Sequence, residues 1–336
     1  MKFTVYAALA AALLATMLLC VCIGSVNIAA GDTLTAIWSA VTGSEPPAGM
    51  PTNIIMNVRL PRVCNVALCG AALSLCGAAM QGLLRNPLAD GSTLGVSAGA
   101  SLGAVLALFT GVTFPGISFS GPMVLAMLFA FLSLALILSL AYALDRSLST
   151  NSIILIGVIF SMFASSVMSL IISFADDKLR SITFWTMGSL SGTGWEHAAV
   201  LTASLVICGG VLLGHARELN AFAVGEDNAR HVGVNVRRVK TVVLVAVSAL
   251  IGVCVSVAGT ISFVGLVTPH MARMLVGPNH KRLLGASMFS GAIFLLFADL
   301  AARTIISPIE LNIGVVTSLV GAAAFIAVFY RTRKRR

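Results

Sequence analysis

Ionisable side chains that interrupt long apolar runs are the residues of this chain most able to do chemistry. They occur in two places: Asp299 with Arg303, and His270 with Arg273. Asp299 precedes Arg303 by four residues, the order that favours an ion pair along a helix. A proton-coupled carrier would need a carboxylate near the middle of the bilayer, but Asp299 lies toward one end of its run. His270 follows Pro269, where a structural role at a kink is expected. A proton relay is therefore the weaker interpretation.

The residue pattern does not favour a metal site or a nucleotide-binding site. The chain contains no G-x-x-x-x-G-K-S/T, so it cannot bind and hydrolyse ATP in the P-loop manner by itself. We therefore expect no catalytic residue, no metal and no cofactor bound by this chain. The seven cysteines lie inside apolar runs without histidines at metal-ligand spacing, which favours small buried hydrophobic residues over disulfides or metal ligands: Cys20, Cys22, Cys64, Cys69, Cys76, Cys208 and Cys254.

Composition places the chain in a membrane. Of 336 residues, 58% are hydrophobic and 10% charged, whereas roughly a quarter of the residues of a soluble domain are charged. The net charge of +9 is spread over short loops and the C-terminal tail, with no aromatic-interleaved basic face for nucleic acid. We expect one polytopic membrane domain over residues 1–336.

Apolar runs of roughly 20 residues, the length needed to span a bilayer, predict an all-α protein with about ten transmembrane helices. The uncharged run Gly91–Leu144 is too long for one helix, and its internal glycines and prolines divide it into two. We expect an external loop over Gly31–Arg62, with a short helix at Asp32–Val41 capped by Asp32. The first run is interpreted as a retained helix, since no small-residue cleavage site follows it. The crossings are expected at 3–31, 63–84, two within 91–144, 147–175, 198–213, 241–257, a short one ending near 274, 283–302 and 311–330.

Basic residues indicate the orientation. Ten crossings place both termini on one side, and with the termini in the cytoplasm sixteen Lys and Arg residues lie inside and five outside. This distribution agrees with the positive-inside rule. Arg59, Arg62 and Arg303 fall on the outer side at helix ends, where they suit an acidic partner. The alternative is that their side chains extend to lipid phosphates.

Glycines at every fourth position open the third predicted helix. Gly95, Gly99 and Gly103 are expected to line one face of it. Such a face lets a neighbouring helix approach closely.

The longest polar segment between crossings is His215–Lys240. Its pattern predicts two short helices, with Leu219, Phe222 and Val224 on an apolar face. Gly225 and Gly233 allow turns. An ordinary polar loop and a projection that docks into a partner both remain open from the residues alone.

Several stretches together resemble the FecCD/BtuC-type permeases, the membrane subunits of ATP-driven importers for ferric siderophores, haem and cobalamin. The resemblance covers nearly the whole chain in the family's order. Its motifs are R-L-P-R at 59–62, Q-G-L-L-R-N-P-L-A-D at 81–90, L-G-V-S-x-G-A at 94–100, W-T-M-G-S-L at 185–190, L-N-A-F-A-V-G-E at 219–226, G-T-I-S-F-V-G-L-V-T-P-H at 259–270, A-D-L-A-A-R-T at 298–304 and P-I-E-L-N-I-G at 308–314.

The resemblance implies a BtuC-like fold and an assembly. It implies a homodimer in the lipid bilayer of the cytoplasmic (inner) membrane, two cytoplasmic ATPase subunits that use the ATP, and an external substrate-binding protein. By motif, the residues that dock the binding protein are Arg59, Arg62 and Arg303. The cytoplasmic gate is Asn86 and Leu88, joined through the shorter match L-S-T by Ser149 and Thr150. Residues 215–240 correspond to the coupling helices that seat on the ATPase, with Leu219, Phe222, Gly225, Glu226, Arg230 and Gly233 as the coupling residues.

The function implied by the resemblance is transport without covalent chemistry. The chain is expected to be the permease of an importer for a ferric siderophore that works by alternating access. Haem and cobalamin are alternative cargoes. An ion-coupled secondary carrier is the alternative class, and it predicts uptake without an ATPase and loss of transport on changing Asp299 or His270.

Overall fold

A computed structural model describes residues 2–24, 28–44, 52–114, 119–145 and 149–334. Within these ranges the chain forms helices and no strands. The α-helices, numbered in chain order, are α1 Lys2–Cys22, α2 Ala30–Thr42, α3 Thr52–Leu83, α4 Val96–Thr110, α5 Gly121–Leu144, α6 Thr150–Ile172, α7 Leu179–Thr186, α8 Trp195–Gly214, α9 Ala216–Val224, α10 Glu226–His231, α11 Val236–Ala258, α12 Val264–Val276, α13 His280–Thr304 and α14 Ile313–Lys334.

The predicted all-α polytopic architecture is confirmed. Among the described residues, seven helices are long and apolar enough to cross a membrane. The third and tenth predicted crossings correspond to α4 and α14, which have shorter apolar stretches. The eighth corresponds to α12, which has 13 residues and contains Pro269. The seven longer helices are α1, α3, α5, α6, α8, α11 and α13.

Helix α3 lies at the centre of the bundle. It packs against α8, α11, α12 and α13, and most of its side chains beyond Pro61 are buried. Gly70 faces Gly291 of α13 and Gly77 faces Gly265 of α12, so closely that a Cβ on α3 would overlap the opposing backbone. Lipid offers no hydrophobic force between helices, so close backbone packing at small residues holds such helices together. The glycines of α3 thus set the spacing of the core.

Helix α3 also begins earlier than predicted. We expected it to begin at Val63, after a loop, but it begins at Thr52 and contains a π-helical turn at Ile55–Arg59. Pro61 follows that turn. Proline lacks an N–H, and its ring crowds the carbonyl of the preceding turn, so it disturbs a regular α-helix. The wider π turn accommodates this defect. The loop prediction was wrong here because Ile55 is fully buried and packing favours helix.

The short helix expected at Asp32–Val41 is present as α2, which spans Ala30–Thr42. The predicted cap was wrong, since Ala29 occupies the N-cap and Asp32 lies within the first turn. An acid there still favours the helix through its dipole.

The three predicted packing glycines serve two roles. Gly99 and Gly103 lie against α5, where a Cβ would overlap the Ser133 side chain and the Leu125 carbonyl. Gly95, however, precedes α4 with a φ of 77° and faces Gly157 of α6. The prediction that all three line one helical face was therefore wrong for Gly95, which turns the chain into the helix.

Candidate functional site

Two groups of polar residues lie at opposite ends of the bundle. The first, which we name the arginine cluster, consists of Arg59, Arg62, Asp299, Arg303 and Glu310. The second surrounds α9 and α10. Helix α3 connects the two groups. Its α-helical part Leu60–Leu83 has 24 residues, which is a length of roughly 36 Å.

A buried carboxylate organises the arginine cluster. Asp299 is fully buried, and its Oδ1 accepts hydrogen bonds from Nε and Nη2 of Arg62 at 3.1 and 3.0 Å. Its Oδ2 lies 2.9 Å from Nε of Arg303, which forms the ion pair predicted from the i, i+4 spacing. Arg62 also reaches Oε2 of Glu310 at 2.8 Å through Nη1. One aspartate therefore joins α3 to α13.

Two of the arginines also cap the end of α1. Arg59 donates from Nη1 to the carbonyl oxygens of Val21 and Cys22 at 2.7 and 3.1 Å. Arg303 donates to those of Cys20 and Ile23 at 3.1 and 3.3 Å. The last carbonyls of a helix lack intrahelical partners and carry the negative end of its dipole. The arginines supply hydrogen-bond donors to these carbonyl groups and a positive charge at the negative end of the dipole.

The structure brings the three predicted docking arginines together but turns their charged groups inward. Arg59 and Arg303 are buried, and the Arg62 side chain is only 12% exposed. The expectation that these side chains reach the surface or the lipid phosphates was wrong, because helix-end carbonyls and Asp299 use the guanidinium groups. The docking role stays a prediction. Sequence reasoning missed Glu310 and the Arg62–Asp299 pair, since residues 237 positions apart leave no local signal.

The predicted gate residues lie in two loops at the opposite end of the bundle. Asn86 accepts a hydrogen bond from the backbone N–H of Leu88 at 2.9 Å, a local turn that leaves Leu88 exposed. Ser149 caps α6 by accepting from the Ser152 N–H at 3.3 Å. Thr150 donates to Oε1 of Glu226 at 3.3 Å. This last contact joins a predicted gate residue to a predicted coupling residue.

The polar segment 215–240 forms two short helices, as predicted, before α11 begins. Leu219 and Phe222 are fully buried against the bundle. The expectation of an exposed apolar face was wrong for these two residues, because they anchor α9 to its own transmembrane helices, whereas Val224 of the same predicted face is exposed. The exposed apolar side chains of this segment are Val224 and Val232, at 68% and 72% exposure.

Polar contacts attach α9 to the start of α13. Asn220 donates to Oδ1 of Asn279 at 3.1 Å and accepts from the His280 N–H at 2.8 Å. Asn279 is itself the N-cap of α13. Movement of α9 would therefore also move the start of α13.

The remaining predicted coupling residues shape α10. Gly225 separates α9 from α10 with a φ of 144°, and Gly233 follows α10 with a φ of 85°. Both conformations favour glycine. Arg230 pairs with Asp227 at 3.2 Å on the exposed surface.

This arrangement defines a class of protein. Its polar residues join helix ends and loops of a membrane bundle, and no three His, Cys, Asp or Glu side chains gather as metal ligands in the ranges the structure describes. A multi-pass helical bundle with polar groups of this kind at both ends defines an integral membrane protein, a class that includes transport permeases.

Comparison with known proteins names the family. The chain belongs to the FecCD transport family, whose model matches residues 12–331. It is 44% identical to the uncharacterized ABC transporter permease protein YvrB of Bacillus subtilis, over 93% of this chain and 89% of that protein. It is 36% identical to the hemin transport system permease protein HmuU of Yersinia pestis, over 95% of each chain.

The relatives differ in the cargo that their names state. A molybdate import permease of Haemophilus influenzae is 33% identical over 93% of this chain and 91% of that protein. A vitamin B12 import permease of Vibrio vulnificus is 34% identical over 96% and 94%. A solved structure described as an inward-facing metal-chelate type ABC transporter matches with a TM-score of 0.85 and 31% identity, over 98% of this chain and 99% of that one. The chain is thus a permease of the ABC importer type, and its cargo needs a separate argument.

Proposed function

We propose that this permease carries a ferric siderophore across the cytoplasmic membrane by alternating access, with both termini in the cytoplasm. In this proposal two copies form the path, two ATPase subunits seat on the α9–α10 side, and an external binding protein docks on the arginine cluster. The similarity to a metal-chelate type transporter supports the cargo class. Haem and cobalamin are the alternatives, because relatives with hemin and vitamin B12 in their names are comparably similar.

The observation that carries the proposal is the division of the apolar side chains of α9 and α10 and the residues that follow them into a buried set and an exposed set. The buried side chains, Leu219 and Phe222, fix the α9–α10 pair to the bundle, while Val224 and Val232 remain exposed. Exposed apolar side chains on a polar segment are typical of a surface that meets another protein. A rigid attachment on one side and a free apolar tip on the other suit transmission of force from an ATPase.

The charge of the arginine cluster supports the proposed docking of the external binding protein. It holds three guanidinium groups against two carboxylates, Asp299 and Glu310, so one positive charge is in excess. A local excess of positive charge attracts acidic side chains of a partner even when the groups are partly paired. Glu310, with 39% of its side chain exposed, lies at the rim where such a partner would compete for Arg62.

A secondary carrier finds less support. Asp299 is fully buried, and both of its carboxylate oxygens lie against arginines. A coupling ion would have to displace these partners. This alternative nevertheless predicts transport without ATP, and a direct measurement separates the two.

Uptake into proteoliposomes tests the proposal. We expect the permease, reconstituted with its ATPase and binding protein, to accumulate a ferric siderophore only with ATP inside and the binding protein outside. Haem, cobalamin and molybdate form the cargo panel, and omission of ATP is the control. Uptake driven by a proton gradient alone would overturn the proposal and favour the carrier, with Asp299 and His270 as the residues to change.

Changing Glu310 tests docking on the arginine cluster. We expect Glu310→Gln to tighten binding of the binding protein at low salt by about threefold to tenfold, because Arg62 loses a competing carboxylate. The gain should disappear at high salt, since screening weakens exposed charges. Affinity is measured by surface plasmon resonance with the permease in nanodiscs.

An exposed acid of the same end provides the control. Asp177 is exposed and lies outside the cluster, so Asp177→Asn removes the same charge without touching Arg62. Equal affinities of Glu310→Gln and Asp177→Asn would show that general charge, and not the cluster, sets the affinity.

A further inference from the structure

A buried lysine lies where the gate loops meet the coupling helices. Lys240, in the second turn of α11, is fully buried, and its Nζ lies 2.7 Å from Oε1 of Glu226. Glu226 is the first residue of α10. A buried ammonium group needs a compensating charge, so this ion pair ties α10 to α11.

The same carboxylate oxygen also contacts the start of α6. Thr150, the first residue of α6, donates its hydroxyl to Oε1 of Glu226 at 3.3 Å. Glu226 therefore holds one residue from each of two transmembrane helices. Next to it, a Cβ built on Gly225 would lie 3.9 Å from Nη1 of Arg85, in the loop that follows α3. Thr150 thus contacts Glu226 directly, and the Arg85 side chain, from the loop that holds Asn86 and Leu88, lies near Gly225.

The two coupling helices are attached to different parts of the bundle. Asn220 bonds α9 to the start of α13, whereas Glu226 bonds α10 to α6 and α11. Gly225, at a φ of 144°, is the connection between them. Glycine tolerates large changes of backbone angle, so α10 can change its angle to α9 while each helix keeps its own attachment.

We propose that Glu226 is the positioning residue that transmits movement of α10 to the gate, through Lys240 to α11 and through Thr150 to α6. This inference rests on the proposed role of α9–α10 in coupling. A push on α10 then moves the starts of α6 and α11 together, and it leaves the start of α13 to follow α9. The link requires a carboxylate at residue 226 and a hydroxyl at residue 150.

Hydrogen exchange on the purified permease tests the link without any transport. We expect Glu226→Gln to speed amide exchange in residues 149–157 by about tenfold or more, since local opening there loses a tether. Exchange at the start of α13 should stay at the wild-type rate. Asp227→Asn is the matched control, because Asp227 neighbours Glu226 but makes an exposed ion pair with Arg230.

Uptake by the reconstituted complex provides the second readout. We expect Glu226→Gln to lower cargo molecules per ATP by about tenfold, with ATP hydrolysis retained, since the ATPase would still bind α9–α10 but move the gate less. Thr150→Val should lower the ratio about twofold to fivefold, and Thr150→Ser, which keeps the hydroxyl, should restore it. Thr150→Val removes only the hydrogen bond to the Glu226 carboxylate and leaves the Lys240–Glu226 ion pair intact. The comparison of Thr150→Val with Thr150→Ser therefore tests the link if Glu226→Gln fails to fold.

The outcomes separate the inference from the proposed function. Exchange in residues 149–157 within about twofold of wild type for both Glu226→Gln and Thr150→Val would overturn the link. Faster exchange throughout the chain, with equal losses of uptake and ATP hydrolysis, would also overturn it, because Glu226 would then be a structural residue only. Wild-type complex without ATP-driven uptake would overturn the proposed function, while the exchange result would still decide whether α10 is linked to α6.

Discussion

Asp299→Asn is expected to destabilise the folded permease strongly. The substitution keeps the size of the side chain but removes the charge that lies between Arg62 and Arg303. Two largely buried guanidinium groups then lose their shared counter-charge, and loss of one partner of a buried ion pair costs about 3–5 kcal/mol. The links between α3 and α13 at this end of the bundle would weaken together.

Thermal unfolding in detergent measures the effect. Four of the seven free cysteines, including Cys20 beside Arg303, are buried, so labelling by a thiol-reactive dye increases as the bundle opens. We expect the melting temperature of Asp299→Asn to fall by about 6 °C or more. Asp177→Asn, which neutralises an exposed acid at the same end, should melt with the wild type. A melting temperature for Asp299→Asn within about 2 °C of the wild type would mean that the pairing contributes little.

Gly77→Ala is expected to disrupt the core nearly as strongly. A Cβ at residue 77 would overlap the carbonyl oxygen of Gly265 and lie close to its carbonyl carbon and Cα. Because the obstacle is backbone, no side-chain rotation relieves the overlap, and α3 and α12 must separate. Overpacking of a core typically costs about 1–3 kcal/mol and can cost more, and here the separation also disturbs the neighbouring Gly70–Gly291 contact.

A glycine without neighbours provides the matched control. Gly210, in the transmembrane helix α8, has no atom within 4 Å of a built Cβ. Gly210→Ala should therefore keep or slightly raise stability, since alanine favours helix over glycine by roughly 1 kcal/mol. Monodispersity on size-exclusion chromatography and melting temperature compare the two variants. Equal behaviour of both would show that α3 and α12 do not require their close approach.

The two substitutions concern different forces that hold one helix. Asp299 supplies charge at the end where α3 begins, and Gly77 supplies close packing farther along the helix. In lipid both matter more than apolar burial, since the surroundings are as apolar as the core. Loss of either is therefore expected to affect the whole bundle.

Local patterns were enough to determine the architecture. Hydropathy and run length predicted the all-α fold and the approximate positions of the seven long apolar helices among the described residues, because each apolar helix satisfies its own backbone in lipid. The two short helices at 216–231 and the Asp299–Arg303 pair also followed from the sequence, since both depend on residues within a few turns of each other. The family followed from motifs spread along the chain.

Only the tertiary structure decided which side each functional side chain faces. In the structure the charged groups of Arg59, Arg62 and Arg303 face inward. Leu219 and Phe222 are buried beneath α9, and α3 begins at Thr52, earlier than predicted. The tertiary structure also placed Lys240 and Thr150 around Glu226. These arrangements depend on contacts between helices far apart in the chain, and a periodicity within one helix carries no information about its neighbours. The sequence therefore determined which stretches form long apolar helices, and packing determined what the polar residues contact.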